Sequence, residues 1–458
     1  MTQSTEKRLL ASGCLAAFGL ALTVLFAGAG EAKAADLAPV PEVQIVPAAP
    51  DWTGFYVGGH MGLADAFTHY DYSTLFSGAL NNHTRIGRIN GAAPGGYAGF
   101  NYQFGAIVLG VEGDATFTNG AFRLNGASID FLQTSNLIST VSGRAGLVVT
   151  PDTMVYGRVG YSRIQLAGVQ GFGGPGSNFH HTVPGTQTGL GIEHLITNNF
   201  ALRIEGTYTK SDSDLVLNQG FDHYRPSFFQ VTVGLAFKLD PLPHSTALPV
   251  ISWANPFISP DPRWTSIYGG GLLGIGAGQV SRYDKIFGLM GPYSDLRFAK
   301  GFLAGGDIQL LHYFVVGAAV DTIWTNSTFD DDVGAGLNPV VHRFAHIDRV
   351  SAVTGRLGFL VSPTILLYGK VGPAEIRFVP EQAYFAAINP SVKTSGHDFS
   401  AIQGGLGMET LIADHVALRI EGLYTRANHS VVIDGLQPAQ TTLQPSTMTG
   451  ALGLVVKY

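Results

Sequence analysis

The sequence predicts an all-β fold: transmembrane antiparallel up-and-down β-barrels, two in tandem of about eight strands each, with one barrel of about sixteen strands as the alternative. Three observations lead there. The chain is apolar without being apolar in a block. It has 60 glycines, 11% aromatic residues and only 13% charged residues, against about 25% charged in soluble domains. Yet beyond Ala34 no uninterrupted apolar run approaches the ~20 residues of a spanning helix. Second, side chains alternate at period two: Leu202, Ile204, Gly206 and Tyr208 on one face, Arg203, Glu205, Thr207 and Thr209 on the other. A strand sends successive side chains to opposite faces, so this is a ribbon with two solvents. Third, that stretch recurs almost letter for letter at Ala417 to Thr425.

The amino-terminal element is a secretory signal peptide, residues 1–34, for export through the Sec pathway. Lys7 and Arg8 begin it, Leu9 to Gly28 is apolar, and Ala32-Lys33-Ala34 is an A-x-A cleavage site. Ala11-Ser12-Gly13-Cys14 resembles a lipobox, but Ala stands at −3 and most of the apolar run follows, so Cys14 reads as signal core. It is the single cysteine. The mature chain then has no disulfide framework and no Cys-based metal or nucleophile site. A formal net charge of −6 gives no case for nucleic acid, which favours a basic patch.

A Pro-rich tether (35–51) leads to the first barrel (52–240). Trp52 to Gly62 reads as a strand and Asp65 to Pro94 as a long polar loop. Gly96 to Gln103 and Ala106 to Thr118 pair around a tight turn at Phe104-Gly105. A loop near Asn119 to Asn136 precedes the strand Ile138 to Val149. After the turn Thr150-Pro151-Asp152 come Met154 to Leu166, a Gly-rich loop (Gly168 to Pro184) and Thr186 to Ile196. Thr197 to Asn199 turns into the strand at Ala201, Ser211 to Arg225 is the last loop, and Phe228 to Leu239 closes the half. Long loops and short turns alternate, the asymmetry of barrels with long loops outside and short periplasmic turns. A second Pro-rich segment, the periplasmic linker 241–263, precedes the second barrel (264–458). There Trp264-Thr-Ser-Ile-Tyr-Gly-Gly-Gly answers Trp52-Thr-Gly-Phe-Tyr-Val-Gly-Gly, and the motifs around Gly146, Gly160 and Glu193 return around Gly358, Gly372 and Glu409. Two copies of a whole unit mean duplication rather than a solenoid.

The faces follow from cost. An Arg on the lipid side costs roughly 2–4 kcal/mol at the bilayer midplane. Arg203 and Glu205 therefore point inward, and Leu202, Ile204 and Tyr208 face lipid. The same parity turns Glu112, Asp114, Arg144, Arg158 and Glu193 inward, and in the second half Asp321, Arg356, Lys370, Glu409, Arg419 and Glu421. Ala319 stands where Glu112 stood. An eight-stranded interior is just wide enough for side chains to fill, so these charges read as a neutralising plug. The alternative reading is an ion-selecting lining.

Other chemistry is weaker. Gly269-Gly-Gly-Leu-Leu-Gly274 matches a dinucleotide fingerprint, which must follow a strand and open a helix; here it runs on as small residues toward a loop. His180-His181 and Asp330-Asp331-Asp332 lack a third metal ligand at workable spacing. Ser211-Asp-Ser-Asp214 with His223 is the nearest approach to a rim enzyme, and the second copy lacks the carboxylates. The reading is of no enzyme, no cofactor and no metal.

With its Pro-rich tether, Trp52-Thr-Gly-Phe-Tyr-Val-Gly-Gly start and aromatic last strand, the chain resembles the opacity-antigen-like "porin family" of Gram-negative, chiefly alphaproteobacterial, outer-membrane barrels, here as a tandem duplication. Gly453, Val456 and Tyr458 fit that group's terminal assembly signal, with Ala451 at the polar position; Thr232, Gly234, Phe237 and Leu239 form a similar set. The resemblance implies an outer-membrane location, contact with outer-membrane lipid, insertion by the barrel assembly machinery with periplasmic chaperones, and surface loops that meet a host or surface ligand. The expected function is structural, adhesive or antigenic, with a porin-type channel for small hydrophilic solutes as the alternative.

Overall fold

The computed structural model describes residues 51–458, except 74–80, 119–120, 126–128, 173–176, 198, 218–221, 240–262, 285–287, 311–312, 331–342, 389–393 and 434–440. The segment read as a signal peptide with Cys14, nearly all of the segments read as tether and linker, and Asp331 and Asp332 lie outside the described residues.

The strands close into two separate eight-stave barrels rather than one of sixteen. The first is built from β1 (Gly54–Ser73), β2 (Asn81–Ala92) with β3 (Gly95–Phe104), β4 (Ile107–Phe117) with β5 (Ala121–Asn125), β6 (Ile129–Thr150), β7 (Thr153–Phe172), β8 (Ser177–Leu195), β9 (Phe200–Ser211) with β10 (Leu215–Leu217), and β11 (Asp222–Lys238). Each stave pairs antiparallel with the next, and β1 closes on β11 from Tyr56 opposite Lys238 to Tyr72 opposite Asp222. Pro94 breaks the second stave, since proline cannot donate to a ladder; the amide of Ala93 still reaches the Gly62 carbonyl at 2.8 Å. The second barrel runs β12 (Ser266–Asp284), β13 (Gly288–Leu310), β14 (Phe314–Asp330), β15 (Arg343–Ser362), β16 (Ile365–Pro380), β17 (His397–Ala413), β18 (Val416–Ala427) with β19 (Val431–Ile433), and β20 (Thr441–Lys457). Here β12 closes on β20. A seven-residue helix, α1 (Gln382–Ile388), lies between β16 and β17.

The segments read as long loops are largely ladder. β1 runs on to Ser73 and pairs with β2; β7 reaches Phe172 and β8 starts at Ser177; β6 starts at Ile129 and β11 at Asp222. β12 likewise carries its glycine run through to Asp284. Beyond the apolar belt both faces of a hairpin meet water, so alternation fades while backbone pairing continues. The belt itself is plain: Phe55, Val57, Met61, Leu109, Val111, Phe302, Val320, Val353 and Leu357 are all exposed.

One assignment is corrected. Leu202 and Ile204 do point outward, but they are buried rather than facing lipid, because the two barrels lie side by side. They pack with Ile192 of the first barrel against Ile365, Met408, Leu418 and Ile420 of the second. Tyr208, further along the same face, is half-buried. Leu202 and Leu418, Ile204 and Ile420, and Ile192 and Met408 hold equivalent positions in the two copies. The seam is thus isologous in kind, each side offering the same patch. Lipid tails are as apolar as leucine, so shape rather than hydrophobicity must hold such a contact. Shape does: a Cβ at Gly422 would collide with Val231, and one at Gly450 would come within 2.8 Å of the Phe229 ring.

Candidate functional site

The candidate site is the pair of barrel interiors. Alternation places Glu112 and Asp114 (β4), Arg144 (β6), Arg158 (β7), Glu193 (β8), and Arg203 and Glu205 (β9) inside the first barrel. Ladder register sets Arg144 directly opposite Arg158, like charges that repel when they face each other across strands. Glu112, from the next strand, resolves the conflict. It accepts from Arg158 at 2.8 Å, from both terminal nitrogens of Arg203 at 2.7 and 2.8 Å, and from the Tyr56 hydroxyl at 2.8 Å. Arg144 lies 3.4 Å from it and donates to Glu193 at 2.8 Å. Arg158 also donates to Asp114 at 3.0 Å, and Arg203 and Tyr156 both donate to Glu205 at 2.6 Å. Arg203 lies over the Tyr97 ring and Arg144 over that of Tyr156, each at 4.2 Å. The charged side chains touch one another and are closed off from solvent.

The second barrel reaches neutrality by a different arrangement. Ala319 removes the hub acid, and Asp307 of β13 supplies one from the neighbouring strand, at the position of Asn101. Arg356, the counterpart of Arg144, donates to Asp307 and to Glu409. Lys370 donates to Asp321 at 2.9 Å and to Glu421 at 3.3 Å. Arg419 engages Glu409 and lies 3.6 Å from Glu421. Lys457 lies 2.8 Å from Glu409 and 4.3 Å over the Trp264 ring, as Lys238 lies over Trp52. Sequence reasoning missed Asp307, Lys238 and Lys457. Parity would have found each: Asp307 pairs with Ser266, two residues before the inward Tyr268, and Lys457 lies opposite Tyr268. Beyond this layer an aromatic cluster of Tyr293, Phe329, Phe344, Phe378 and Phe399 fills the far end of the second barrel, joined by Phe385 of α1.

A sequence model of the outer membrane protein β-barrel domain matches residues 20–237. A 22 kDa outer membrane protein of Rhizobium leguminosarum bv. viciae is 27% identical over 200 residues, covering 43% of this chain and 82% of that protein. Among solved structures, Neisserial surface protein A matches with 16% identity and a TM-score of 0.24, over 41% of this chain and 97% of its own. The Pseudomonas putida toluene transporter TodX matches with 9% identity and a TM-score of 0.26, over 88% and 90%. At such scores the structural likenesses carry no argument. The sequence matches and the two closed barrels do. The first half of the chain matches the outer-membrane β-barrel family, and both halves fold as closed eight-stave barrels.

This outer-membrane protein therefore sits in the bacterial outer membrane, with a belt of exposed apolar side chains around its barrels. The remaining candidates assemble no reactive site among the described residues. Ser211 donates its hydroxyl to the Ser213 carbonyl at 2.6 Å, Asp212 accepts from Thr186 at 2.9 Å, and Asp214 pairs with Arg225 at 2.6 Å. The His223 side chain lies outside the described residues. His180 and His181 are successive residues of β8 and so point to opposite faces, and Asp330 ends β14. Gly269 to Gly274 lies inside β12, paired on both sides, with no helix to receive a phosphate. Gly453 and Val456 sit on β20, where Gly453 pairs with both Leu272 and Arg419. Tyr458 exchanges backbone hydrogen bonds with Ile267 at 2.8 and 3.0 Å.

Proposed function

We propose that the chain is a non-conducting, non-enzymatic surface protein: two plugged barrels that hold paired outer hairpins above the membrane for structural, adhesive or antigenic contact. The observation that carries this reading is the filling of both interiors at mid-height by ion pairs, with Glu112, Arg158, Arg356 and Glu409 at most 5% exposed. Opening an aqueous path there would break several buried charge pairs at about 3–5 kcal/mol each. The staves support the display role. β1, β6, β7 and β13 span 20, 22, 20 and 23 residues, where a tilted transmembrane strand needs about 9–11. The surplus carries ladder well beyond the lipid, and ligand contact belongs to its tips. Insertion by the barrel assembly machinery, with Gly453, Val456 and Tyr458 as its signal, is part of the same reading. Liposome swelling tests it: vesicles holding the refolded protein should exclude arabinose as protein-free vesicles do, and rapid sugar-dependent swelling would replace the reading with the porin-type one.

A further inference from the structure

The outer wall of the first barrel carries a groove of about 610 Å³. Two rungs of outward-facing residues form it, each crossing β3, β4, β6 and β7 in register. One rung is Ala98, Gly113, Val141 and Tyr161; the next, one step further from the short turns, is Gly96, Ala115, Ser139 and Arg163. The small residues are not demanded by the chain's own packing. A Cβ on Gly113 would meet nothing nearer than a carbonyl at 4.0 Å, and one on Gly96 nothing nearer than 3.4 Å. At the β7 end the groove is walled by exposed Tyr161 and Arg163, and Arg163 makes no ion pair among the described residues.

The second barrel provides an internal comparison. Its equivalent rungs begin Ala304, Val320, Val353 and Phe302, Thr322, Ser351. Glu375 stands in the place of Arg163, within 3.6 Å of Arg349. Phe302 and Val320 fill the floor that Gly96 and Gly113 leave open. The small-residue floor and Arg163 occur together in the first copy, and in the second Phe302, Val320 and Glu375 stand in their places.

Position on the strand fixes the depth. Arg163 is ten residues beyond Thr153, the first residue of β7; at about 3.3 Å per residue and a tilt near 40° this is roughly 25 Å, the height of the apolar band. The guanidinium therefore lies at the outer headgroup level, with the groove just below it. Four strands at about 4.8 Å spacing give the groove a length of roughly 14 Å, the reach of a medium-length acyl chain. Guanidinium pairs bidentately with phosphate.

We propose that this wall is a specific site for a phosphorylated acylated glycolipid of the outer leaflet, one acyl chain lying along the small-residue floor and its phosphate on Arg163 with Tyr161 beside it. The test is native mass spectrometry of the full chain in detergent, titrated with bis-phosphorylated lipid A and with its dephosphorylated form. The wild type should retain the phosphorylated form. Arg163→Glu, which copies the second barrel, should weaken that binding roughly tenfold or more and leave the dephosphorylated form unchanged. Gly113→Val with Ala115→Thr should weaken both. Equal retention by wild type and variants, or no preference for phosphate in the wild type, would overturn the proposal. Should a variant lose its heat-modifiable fold, a photoactivatable acyl analogue on the wild type decides: cross-links concentrated on the Ala98 to Tyr161 rung support the site, and equal labelling of the Val320 to Val353 wall refutes it.

Discussion

The two interiors solve one charge problem in two ways, and the difference can be transplanted. Glu112→Ala removes the acid that three arginines share. Breaking a buried pair costs about 3–5 kcal/mol. The lower end applies, because each arginine keeps at least one carboxylate: Arg144 keeps Glu193, Arg158 keeps Asp114 and Glu205, and Arg203 keeps Glu205. What is lost is the bidentate seat of Arg203, the acceptor of Tyr56, and the screen between Arg144 and Arg158. A cost of about 3 kcal/mol is roughly a hundredfold rise in the open population. Adding Asn101→Asp should return about 1.5 kcal/mol or more, the worth of a charged hydrogen bond, because Asp307 serves Arg356 from that position. Hydrogen–deuterium exchange of the β9 amides reads the effect, with β18 in the same molecule as reference. A loss under about 1 kcal/mol, an equal loss in β18, or no recovery in the double variant would refute the reasoning.

Further outcomes follow from the same structure. Gly422→Leu should split the seam, since its side chain must occupy the space of Val231. With a protease site engineered into the linker, cut wild-type halves should co-migrate in detergent and the variant halves separate. Gly105 holds φ +60° in the β3–β4 turn, where an L side chain costs about 1–2 kcal/mol. Gly105→Val should lower the urea midpoint without changing the folded far-UV spectrum. Asp65 is fully buried on the outward face of β1, and neither carboxylate oxygen has a side-chain partner among the described residues. Asp65→Asn should therefore leave stability unchanged or raise it by about 1 kcal/mol, read as the same midpoint.

Face assignment was legible because strand period two, applied to a chain so short of charge, leaves one cheap place for Arg144 or Glu193. The duplication was legible for the same reason: Arg203 and Glu205 return as Arg419 and Glu421 in the same phase. The seam was not. An outward leucine is written identically whether it meets lipid or another barrel. The hint lay in what repeated, for Leu202 and Ile204 return unchanged as Leu418 and Ile420, a constancy that lipid does not require. Asp307 escaped because comparing equivalent positions finds a lost acid at Ala319 but not one moved to the next strand. Strand ends were misplaced wherever pairing outlasts alternation, as between Leu166 and Phe172. Nothing in the period-two pattern marks Gln382–Ile388 as a helix, a single turn-pair held by Phe385 in the aromatic cluster.

Both barrel interiors are closed and filled, and single-channel conductance of the refolded protein in a planar bilayer tests that most directly. The structure predicts a quiet membrane, with no sustained steps above the lipid baseline. Large, stable, reproducible steps would mean that the Glu112 and Glu409 networks do not fill their barrels, and would make this protein a channel.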